Sequence, residues 1–483
     1  MKNFHHHGLK EMPQLAYMCS HQSIDEERTG RFGRMFSGHP PLFLNPKVLT
    51  EMGQKGGPMD GGVTDNHTQS VPLGMVYLGQ FIDHDITLDT TSSFGGINEA
   101  IEIENFRTPA LDMDCVFGEG PEDEPFLYAT DSLRLLTGET NNNIGQGKAL
   151  EKHDLPRNGT GKALIGDARN DENRIVSQLQ LAFIRFYNQI YNSIETASGA
   201  HPDHKKIYEA ARKQTTWHYQ WIVVNEFLPT MCGEVVVDKI LGRGREFYKP
   251  CNRPFIPVEF SVGSYRFGHS MITQKVYMQS GGDTFDLFSS NVGMGFQPIK
   301  SSKQVIDWDQ FFDFDGSYQR ASKLDLKLPS ALLDLPFIED NTPEHLHSLA
   351  TRNLMRSQSF LLPSGEIIAE CMSRDAGEIE QVRNYVVNEM SAYSNVDLDA
   401  GIPLWAYVLA EAAVIGREDK DGFKLGEGLG PVGGRITAEV IIGLLEWDNN
   451  SFLGQDRNWQ PNLGNGTDFS MKELLTLSKA FLL

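Results

Sequence analysis

The chain has 483 residues, and its 43 basic and 64 acidic side chains give a formal net charge of −21. This acidity disfavours nucleic acids and anionic membranes as partners. The five cysteines are widely spread without CxxC or zinc-type spacing, so we expect buried thiols and neither a disulfide framework nor a cysteine-based metal site.

No internal repeat, low-complexity linker or abrupt change of composition divides the chain. A prior of about 150 residues per domain would suggest three domains, but the uniform composition favours one. Residues 1–70 are rich in glycine, proline and isolated charges, which predicts an extended N-terminal arm packed on a catalytic domain of residues 71–483. With neither a signal peptide nor a transmembrane segment evident, we expect a protein that is cytoplasmic or exported without a cleavable signal.

The stretch from Val71 to Asp89 has apolar residues at helical spacing and four polar residues around its end: Gln80, Asp83, His84 and Asp85. Two carboxylates flanking a histidine are expected to raise its pKa, which suits a salt bridge or switch better than a base at neutral pH. A covalent bond to one carboxylate and a cation on the other would remove that charge. A helix end with a hydrogen-bonded histidine is the alternative interpretation.

The mostly irregular region from about residue 90 to residue 165 contains oxygen donors at alternating positions. Thr108, Asp112 and Asp114 lie close together, with a backbone carbonyl between them, and Asp85 could supply another carboxylate. Calcium needs six to eight oxygen ligands within about 2.6 Å. The spacing is therefore compatible with a calcium site, and a solvated turn without metal is the alternative.

Two long helices are predicted next. Apolar residues recur at helical spacing from Ile175 to Ile190, and Glu172 is suitably placed near the positive end of that helix. The same helix dipole opposes Arg169, so we expect this cation to have another partner. The second helix is predicted from Lys205 to Leu228, ending at Pro229 and pairing with the first.

His269 follows a glycine and precedes an apolar run. Such a histidine could bind a metal while an asparagine holds its second nitrogen, or it could be an ordinary core residue. Gly428–Gly433 matches a dinucleotide-binding fingerprint in letters, but it contains Pro431 and follows a charged, glycine-rich run rather than a strand. We therefore expect a turn leading into an apolar helix there.

Six motifs in this order resemble those of the animal-type haem peroxidases, in the bacterial branch of the peroxidase–cyclooxygenase superfamily. Each motif alone is weak, whereas the ordered set is specific and spans residues 79 to 435. The motifs are Gly79-Gln-x-x-Asp-His-Asp85, Asp112-x-Asp114 followed by Val116-Phe-Gly118, Arg169-x-x-Glu172, Tyr265-Arg-Phe-Gly-His269, Asn353-x-x-Arg356 and Leu429-Gly-Pro-Val-Gly-Gly-Arg435. The resemblance implies a mainly α fold, a single large helical domain around a buried haem with few short strands and long loops.

The resemblance also implies roles for individual residues. The distal residues that act on peroxide would be Gln80, His84 and Arg169. His269 would bind the haem iron, Asn353 would hold its other nitrogen, and the haem propionates would pair with Arg266 and Arg356. The carboxylates that match ester links to haem methyl groups are Asp83 and Glu172. The calcium ligands would be Asp85, Thr108, the Ala110 carbonyl, Asp112 and Asp114.

The function that the resemblance implies is that of a haem b peroxidase, which reduces H2O2 and oxidises small organic or halide donors through a ferryl intermediate. His84 would move a proton between the peroxide oxygens, and Arg169 would stabilise the developing charge. The alternatives are a haem-dependent fatty-acid dioxygenase and a haem-binding protein without turnover. The dioxygenase branches have a tyrosine three residues before the proximal histidine, where this chain has Arg266; Tyr265 is one residue away, which predicts a different helix face.

Overall fold

The computed structural model describes residues 30–63, 66–89, 97–100, 103–140, 148–293, 295–339, 341–393 and 395–480. In these residues the chain is mainly helical with a few short strands, which confirms the predicted fold class. The helices are α1 (Pro46–Gly53), α2 (Leu73–Ile86), α3 (Asp114–Phe117), α4 (Lys148–Glu151), α5 (Arg174–Ala197), α6 (His204–Ile222), α7 (Leu228–Cys232), α8 (Glu234–Arg243), α9 (Gly268–Met271), α10 (Leu349–Ser359), α11 (Gly365–Cys371), α12 (Ala376–Met390), α13 (Leu404–Val414), α14 (Pro431–Trp447), α15 (Phe452–Gln455) and α16 (Met471–Leu477).

The strands form small, separate sheets. They are β1 (Gly30–Gly33), β2 (Asp60–Gly62), β3 (His67–Pro72), β4 (Glu104–Asn105), β5 (Ile256–Pro257), β6 (Lys275–Tyr277), β7 (Thr284–Asp286), β8 (Arg320–Ser322), β9 (Leu328–Pro329), β10 (Arg417–Asp419) and β11 (Gly422–Lys424). Strand β1 pairs with β4 and β5, and the other pairs are β2 with β9, β3 with β8, β6 with β7, and β10 with β11. Each pairing is too short to build a core of its own, so the helices supply the interior.

Helix α2 packs against α5, which pairs in turn with α6. The Phe81 ring on α2 stacks on Phe183 of α5, with centroids 4.7 Å apart, and packs edge-to-face on Tyr219 of α6 at 5.9 Å. A Cβ atom at Gly74 would lie 2.4 Å from the Phe311 carbonyl oxygen, so only glycine permits the approach at the start of α2. This packing fixes the helix that carries Gln80, Asp83 and His84.

The predicted end of the second helix at Pro229 is wrong. Helix α6 ends at Ile222, a π-helical turn spans Val223–Phe227, and α7 begins at Leu228 with Pro229 in its first turn. A proline is tolerated in the first turn of a helix, where its missing N–H is not needed. Helical structure therefore continues through the π-helical turn and past Pro229 to Cys232.

The described part of the N-terminal region is tied to the core by helix packing and hydrogen bonds. Val48, Leu49 and Met52 of α1 are buried in the core cluster. The buried Glu259 carboxylate accepts the N–H groups of Met35 and Phe36, at 3.0 and 3.1 Å. The boundary at residue 70 stays a prediction, and residues 1–29 lie outside the described part of the chain.

The expectation of buried thiols holds for two of the four described cysteines. Cys115 and Cys232 are buried, Cys371 is half-buried, and Cys251 is exposed. Cys251 lies in an irregular segment between α8 and β5, where no apolar face covers it. All four are free thiols, and Cys19 lies outside the described residues.

Helix α14 begins inside the sequence that matches a dinucleotide fingerprint. Its first residue is Pro431, and the buried Glu411 carboxylate accepts the N–H groups of Val432 at 3.0 Å and of Gly433 at 3.2 Å. A carboxylate therefore occupies the place where a phosphate would bind a helix N-terminus. The apolar helix expected after this turn is confirmed.

Glu411 makes the stability of the fold dependent on pH. Burial raises the pKa of its carboxyl from 4.5 to about 7, against the opposing effect of the two N–H groups it accepts. The folded state then holds this proton more tightly than the unfolded chain, so the contribution of Glu411 to stability is fully present below pH 4.5 and is lost as the pH rises through 7. Two to three pKa units correspond to a change on the order of 3 kcal/mol.

We expect Glu411→Gln to remove this dependence, because the amide cannot ionise but keeps an oxygen that accepts the backbone N–H groups. The free energy of urea unfolding of the variant minus that of the wild type should rise from pH 5 to pH 8. A difference that is constant between these pH values would contradict the assignment.

Candidate active site

One cavity of about 710 Å³ lies between α2, the segment Glu172–Asn173 and the turn that leads into α9. Of the residues to which the sequence assigned a catalytic or haem-binding role, six line it: Gln80, Asp83, His84, Glu172, Arg266 and His269. The remaining three, Arg169, Asn353 and Arg356, do not line this cavity. Helix packing thus joins motifs that are up to about 190 residues apart in the sequence.

His84 is buried and has one defined tautomer. Its Nδ1 lies 2.7 Å from Oδ1 of Asn170, and the Nδ2 group of Asn170 donates to Gln180 at 2.8 Å. Because that amide nitrogen is already used, Oδ1 faces His84 as an acceptor and Nδ1 carries the proton. Nε2 therefore keeps its lone pair, and it lies 4.0 Å from Oε1 of Glu172. Sequence reasoning did not assign this role to Asn170, although it lies inside the Arg169–Glu172 motif.

The pKa of His84 moves in the direction opposite to the one expected from its neighbours in sequence. Burial and the positive charge of Arg169 lower it to about 4, and the opposing effects of Asp167 and Asp83 are smaller. The expectation that two flanking carboxylates raise this pKa is wrong, because desolvation of the imidazolium outweighs them. His84 is therefore neutral at pH 7 even without an ester bond at Asp83 or a cation at Asp85, and it can accept a proton.

The two carboxylates assigned to ester links both face the cavity. Burial raises the pKa of Glu172 to about 7, and the nearby Asp83 adds to this effect. Gln80 donates its amide N–H to Oε1 of Glu172, and Thr87 donates its hydroxyl to Oδ1 of Asp83 at 2.9 Å. Each carboxylate thus has a polar neighbour that orients it.

Arg169 has the separate partner that its position at a helix N-terminus required. Its Nη2 lies 2.7 Å from Oδ2 of the fully buried Asp167, and it also donates to the carbonyls of His84 at 3.0 Å and Thr87 at 2.7 Å. Arg107 contacts the same oxygen of Asp167, with its Nη2 2.6 Å from Oδ2. Nη1 of Arg169 makes no hydrogen bond within the described chain. Asp167 and Arg107 position Arg169, and neither was identified from the sequence.

His269 contacts an asparagine, as predicted. Nδ2 of Asn353 lies 2.9 Å from its Nδ1, and Arg266 donates from Nη1 to Oδ1 of Asn353 at 3.3 Å. With Nδ2 donating to Nδ1, the proton of the neutral imidazole lies on Nε2. Metal binding by Nε2 requires the amide to be rotated by 180°, so that Nδ1–H donates to Oδ1, and Arg266 would then lose its acceptor on Asn353. Burial and the Arg266 charge lower the pKa of His269 to about 3, so the imidazole is neutral.

The two arginines assigned to the propionates differ in position. Arg266 lines the cavity, and burial lowers its pKa to about 10; its Nε has no hydrogen-bond partner among the described residues. Arg356 points to Asp89, with Nη1 3.0 Å from Oδ2, and it does not line the cavity. Arg352, one helical turn earlier on α10, does line it. The sequence contained this second cation, but its spacing did not show which of the two faces the cavity.

The acidic residues of the predicted calcium site come together. Carboxylate oxygens of Asp85, Asp112 and Asp114 lie within 4.8 Å of one another. Burial and mutual repulsion raise the pKa of Asp85, and burial raises that of Asp114 to about 7. Thr108 joins the cluster through Oγ1, 3.4 Å from Oδ2 of Asp114, and Ala110 lies in the same loop. Asp85 is buried and the other two are half-buried, and three carboxylates this close supply part of the oxygen donor set that a hard divalent cation requires.

The residues around the cavity fit a haem. Two neutral imidazoles line it, and each has its Nδ1 in contact with an asparagine side chain. Arg266 and Arg352 supply positive charge for propionates, and the unpaired Nε of Arg266 is a buried donor without an acceptor. A haem bound here would satisfy that donor, and one of the two imidazoles would hold its iron.

Tyr265 lines the same cavity as His269, contrary to the expectation of a different helix face. Residues Ser264–Phe267 form a 3₁₀ turn before α9, so the regular helix assumed for that prediction is absent. The Tyr265 hydroxyl donates to the Gly79 carbonyl at 3.1 Å. The sequence position of Tyr265, four residues before His269, therefore does not exclude it from the cavity.

Comparison with known proteins agrees with this geometry. The family model for the animal haem peroxidase domain matches residues 93–389. The chain belongs to the animal haem peroxidase family. Among curated members, chorion peroxidase of Drosophila melanogaster is 25% identical over 323 residues, which cover 64% of this chain and 38% of that protein. The chain spans well under half the length of the first curated relatives that it matches.

Solved structures show the same fold at low sequence identity. Peroxidase A from Dictyostelium discoideum superposes with a TM-score of 0.56 and 16% identity, covering 88% of each chain. The fatty acid alpha-dioxygenase of Arabidopsis thaliana gives a TM-score of 0.57 and 14% identity, over 94% of this chain and 79% of that one. The fold alone therefore does not separate the two activities. In the described part of this family member, no helix is both long and apolar enough to cross a membrane.

Proposed function

We propose that this protein is a haem b peroxidase that reduces H2O2 and oxidises small organic or halide donors. The observation that carries the proposal is the pair of neutral imidazoles, His84 and His269, lining one cavity of about 710 Å³. When bound, the haem supplies the two-electron redox chemistry with peroxide, and the protein supplies binding, orientation and proton transfer.

In this proposal His84 moves the proton. Its neutral Nε2 takes a proton from one oxygen of the peroxide and returns it to the other oxygen as that oxygen leaves as water. Asn170 keeps Nδ1 protonated, so Nε2 is always the nitrogen that exchanges the proton. Arg169, held by Asp167, provides positive charge close to His84, and Gln80 orients Glu172 beside it.

We propose that His269 would hold the haem iron and that Asn353 would position His269. The Asn353 amide fixes the direction of the imidazole, and Arg266 in turn contacts the amide. Arg266 and Arg352 would hold the propionates. Arg356 is paired with Asp89 and would affect the propionates only indirectly, by fixing the position of that carboxylate.

The test is peroxide-dependent oxidation of guaiacol by the haem-loaded protein. We expect guaiacol oxidation that requires both haem and H2O2. A protein that binds haem but shows no reaction with peroxide would instead be a haem carrier, the alternative without turnover.

A fatty-acid dioxygenase is the second candidate, because Tyr265 lines the cavity together with largely apolar side chains. That activity would consume O2 with palmitic acid in the absence of peroxide. Oxygen uptake with palmitic acid, lost in Tyr265→Phe, together with no guaiacol oxidation, would replace the peroxidase assignment.

We further propose that Asp85, Thr108, the Ala110 carbonyl, Asp112 and Asp114 bind Ca²⁺. The ion would neutralise the three clustered carboxylates, and Asp85 is the direct neighbour of His84 in the sequence. We expect Asp112→Ala to lower calcium affinity at least about tenfold, because the ion loses one ligand. Tm should also fall, because the two remaining carboxylates still repel each other and the weakly bound ion no longer neutralises them.

Calcium content by elemental analysis and Tm with and without a chelator measure this effect. Asp397→Ala is the control, because Asp397 is exposed and lies outside the cluster. Wild-type protein that contains no calcium and whose Tm a chelator leaves unchanged would contradict the site.

The ester links are the last part of the proposal. Asp83 and Glu172 both line the cavity, which supports close approach to a haem edge. We expect the fraction of haem that resists acid–organic extraction to rise after repeated H2O2 turnover, because bond formation needs an oxidised haem.

Mass spectrometry of haem peptides, before and after peroxide, measures this fraction. Asp83→Asn and Glu172→Gln should each remove one link and preserve haem binding. Fully extractable haem after many turnovers would leave the two carboxylates as hydrogen-bonding groups only.

A further inference from the structure

A chain of hydrogen bonds runs from His84 to the backbone of α3 through two buried amide side chains. Nδ1 of His84 lies 2.7 Å from Oδ1 of Asn170, and Nδ2 of Asn170 donates to Oε1 of Gln180 at 2.8 Å. Nε2 of Gln180 in turn donates to the Cys115 carbonyl at 3.1 Å. Asn170 and Gln180 have no exposed surface, so bulk water does not compete for these bonds.

The Cys115 carbonyl sets the direction of every bond in this chain. Rotating an amide side chain by 180° exchanges its donor and its acceptor, whereas a backbone carbonyl can only accept. The donor of Gln180 must therefore face Cys115, and its acceptor must face Asn170. That acceptor requires the amide nitrogen of Asn170, which leaves Oδ1 for His84.

Packing holds this carbonyl in place. It accepts a second hydrogen bond, from the Asp167 N–H at 3.2 Å. The two backbone segments approach so closely that a Cβ atom at Gly166 would lie 2.3 Å from the Asp114 carbonyl oxygen. The chain of hydrogen bonds therefore starts from a fixed backbone group and ends at His84.

Two acceptors compete for the single proton of a neutral His84 imidazole. Oδ1 of Asn170 lies 2.7 Å from Nδ1, and Oε1 of Glu172 lies 4.0 Å from Nε2. Both His84 and Glu172 line the cavity, so a proton on Nε2 would take the place of the lone pair that faces it. The proposed proton transfer from peroxide needs that lone pair.

We propose that Gln180 is a positioning residue, which acts through Asn170 to keep the proton of His84 on Nδ1. This role rests on the proposed peroxidase function, in which Nε2 of His84 accepts a proton. Gln180 lies on α5 and does not line the cavity. It therefore influences the reaction only through the hydrogen bonds that it makes.

The first test is NMR of protein with isotope-labelled histidine nitrogens, loaded with zinc protoporphyrin as a diamagnetic substitute for haem. Protonated and unprotonated ring nitrogens differ in chemical shift, and His84→Ala identifies the His84 signals. We expect one tautomer in the wild type, with the proton on Nδ1. In Gln180→Met the Asn170 amide can turn, so we expect both tautomers. A proton on Nε2 in the wild type would overturn the proposal even if the variant does not fold, and so would a single tautomer in folded Gln180→Met.

Gln178→Met is the matched control, because Gln178 is a buried glutamine of the same helix that bonds to a different segment. Its amide donates to the Gln304 carbonyl at 2.7 Å and accepts the Ile306 N–H at 2.9 Å. We expect Tm to fall about as much as in Gln180→Met, because each variant loses buried hydrogen bonds, and the His84 tautomer to stay unchanged. Mixed tautomers in both variants would indicate a general loss of packing and would overturn the specific role of Gln180.

Stopped-flow mixing of the haem-loaded protein with H2O2 measures the effect on the reaction. We expect Gln180→Met to slow it about two- to tenfold, the range over which one net hydrogen bond shifts an equilibrium. Gln178→Met should react at the wild-type rate. A wild-type rate in Gln180→Met with mixed tautomers would overturn the role of Gln180 in the reaction.

Asn170→Asp in the Gln180→Met background provides a rescue, because a carboxylate has only acceptors and cannot turn a donor towards His84. We expect Nδ1 of His84 to be fully protonated again. An Nδ1 that stays partly unprotonated would show that Gln180 does not act through position 170.

The NMR result also separates this proposal from the peroxidase function. A single Nδ1–H tautomer that Gln180→Met mixes, in a protein that does not react with peroxide, would remove the function and keep the positioning role. Reaction with peroxide by a wild type whose His84 carries its proton on Nε2 would remove the positioning role alone.

Discussion

His269→Ala is expected to abolish peroxidase turnover and to lose most of the bound haem. His269 is the imidazole that we assign to the iron, and His84 is the other histidine in the described lining of the cavity. The side chain of alanine cannot bind iron, and the positioning contact of Asn353 at 2.9 Å loses its partner. Haem content by absorption spectroscopy and the affinity from a haem titration measure the effect.

The matched control is His201→Ala, because His201 is exposed and far in sequence from every motif. It should retain haem and activity. Asn353→Ala should keep the iron ligand but change its hydrogen bond, so we expect bound haem with an altered absorption spectrum. A histidine-ligated spectrum at full occupancy in His269→Ala would reject the assignment, unless His84→Ala in the same chain removes it and so identifies His84 as the replacement ligand.

His84→Ala is expected to retain haem and to slow the reaction with H2O2 by about 10²- to 10⁴-fold, the usual contribution of a positioned general acid–base group. The buried imidazole is neutral at pH 7 because desolvation and Arg169 lower its pKa to about 4. Stopped-flow absorption at the haem band gives the rate directly.

Two variants sharpen that experiment. His67→Ala removes an exposed histidine of β3 and should leave the rate unchanged. Asn170→Ala should slow the reaction less than His84→Ala, because it removes only the contact that fixes the tautomer. A near-wild-type rate in His84→Ala would exclude His84 as the group that moves the proton.

The sequence was sufficient for residues whose motifs point into the cavity from helix or turn positions. The family resemblance pointed to Gln80, Asp83, His84 and His269, and all four line one cavity, because the backbone of a packed helix or turn fixes the direction of its side chains. Arg169 and Arg356 were less predictable. A long arginine side chain can reach several carboxylates, and the sequence does not show which one it pairs with. The partner of Arg356 is Asp89, 267 residues away in the sequence.

The burial of a side chain could not be predicted from its neighbours in the sequence. Asp83 and Asp85 suggested a raised pKa for His84, but the interior position of α2 lowers it. The same limit explains why Asn170 and Asp167 were not assigned roles: they act through hydrogen bonds that only the folded arrangement creates. At Pro229 a π-helical turn, which has no clear sequence signal, lets helical structure resume.

The most direct test of the central claim is the absorption spectrum of the haem-loaded wild-type protein, recorded during rapid mixing with one equivalent of H2O2. We expect the haem band to change with peroxide and to return to its initial form when p-cresol is added, and we expect the first change to be at least about a hundredfold slower in His84→Ala. A haem band that H2O2 leaves unaltered in the wild-type protein would contradict the peroxidase function.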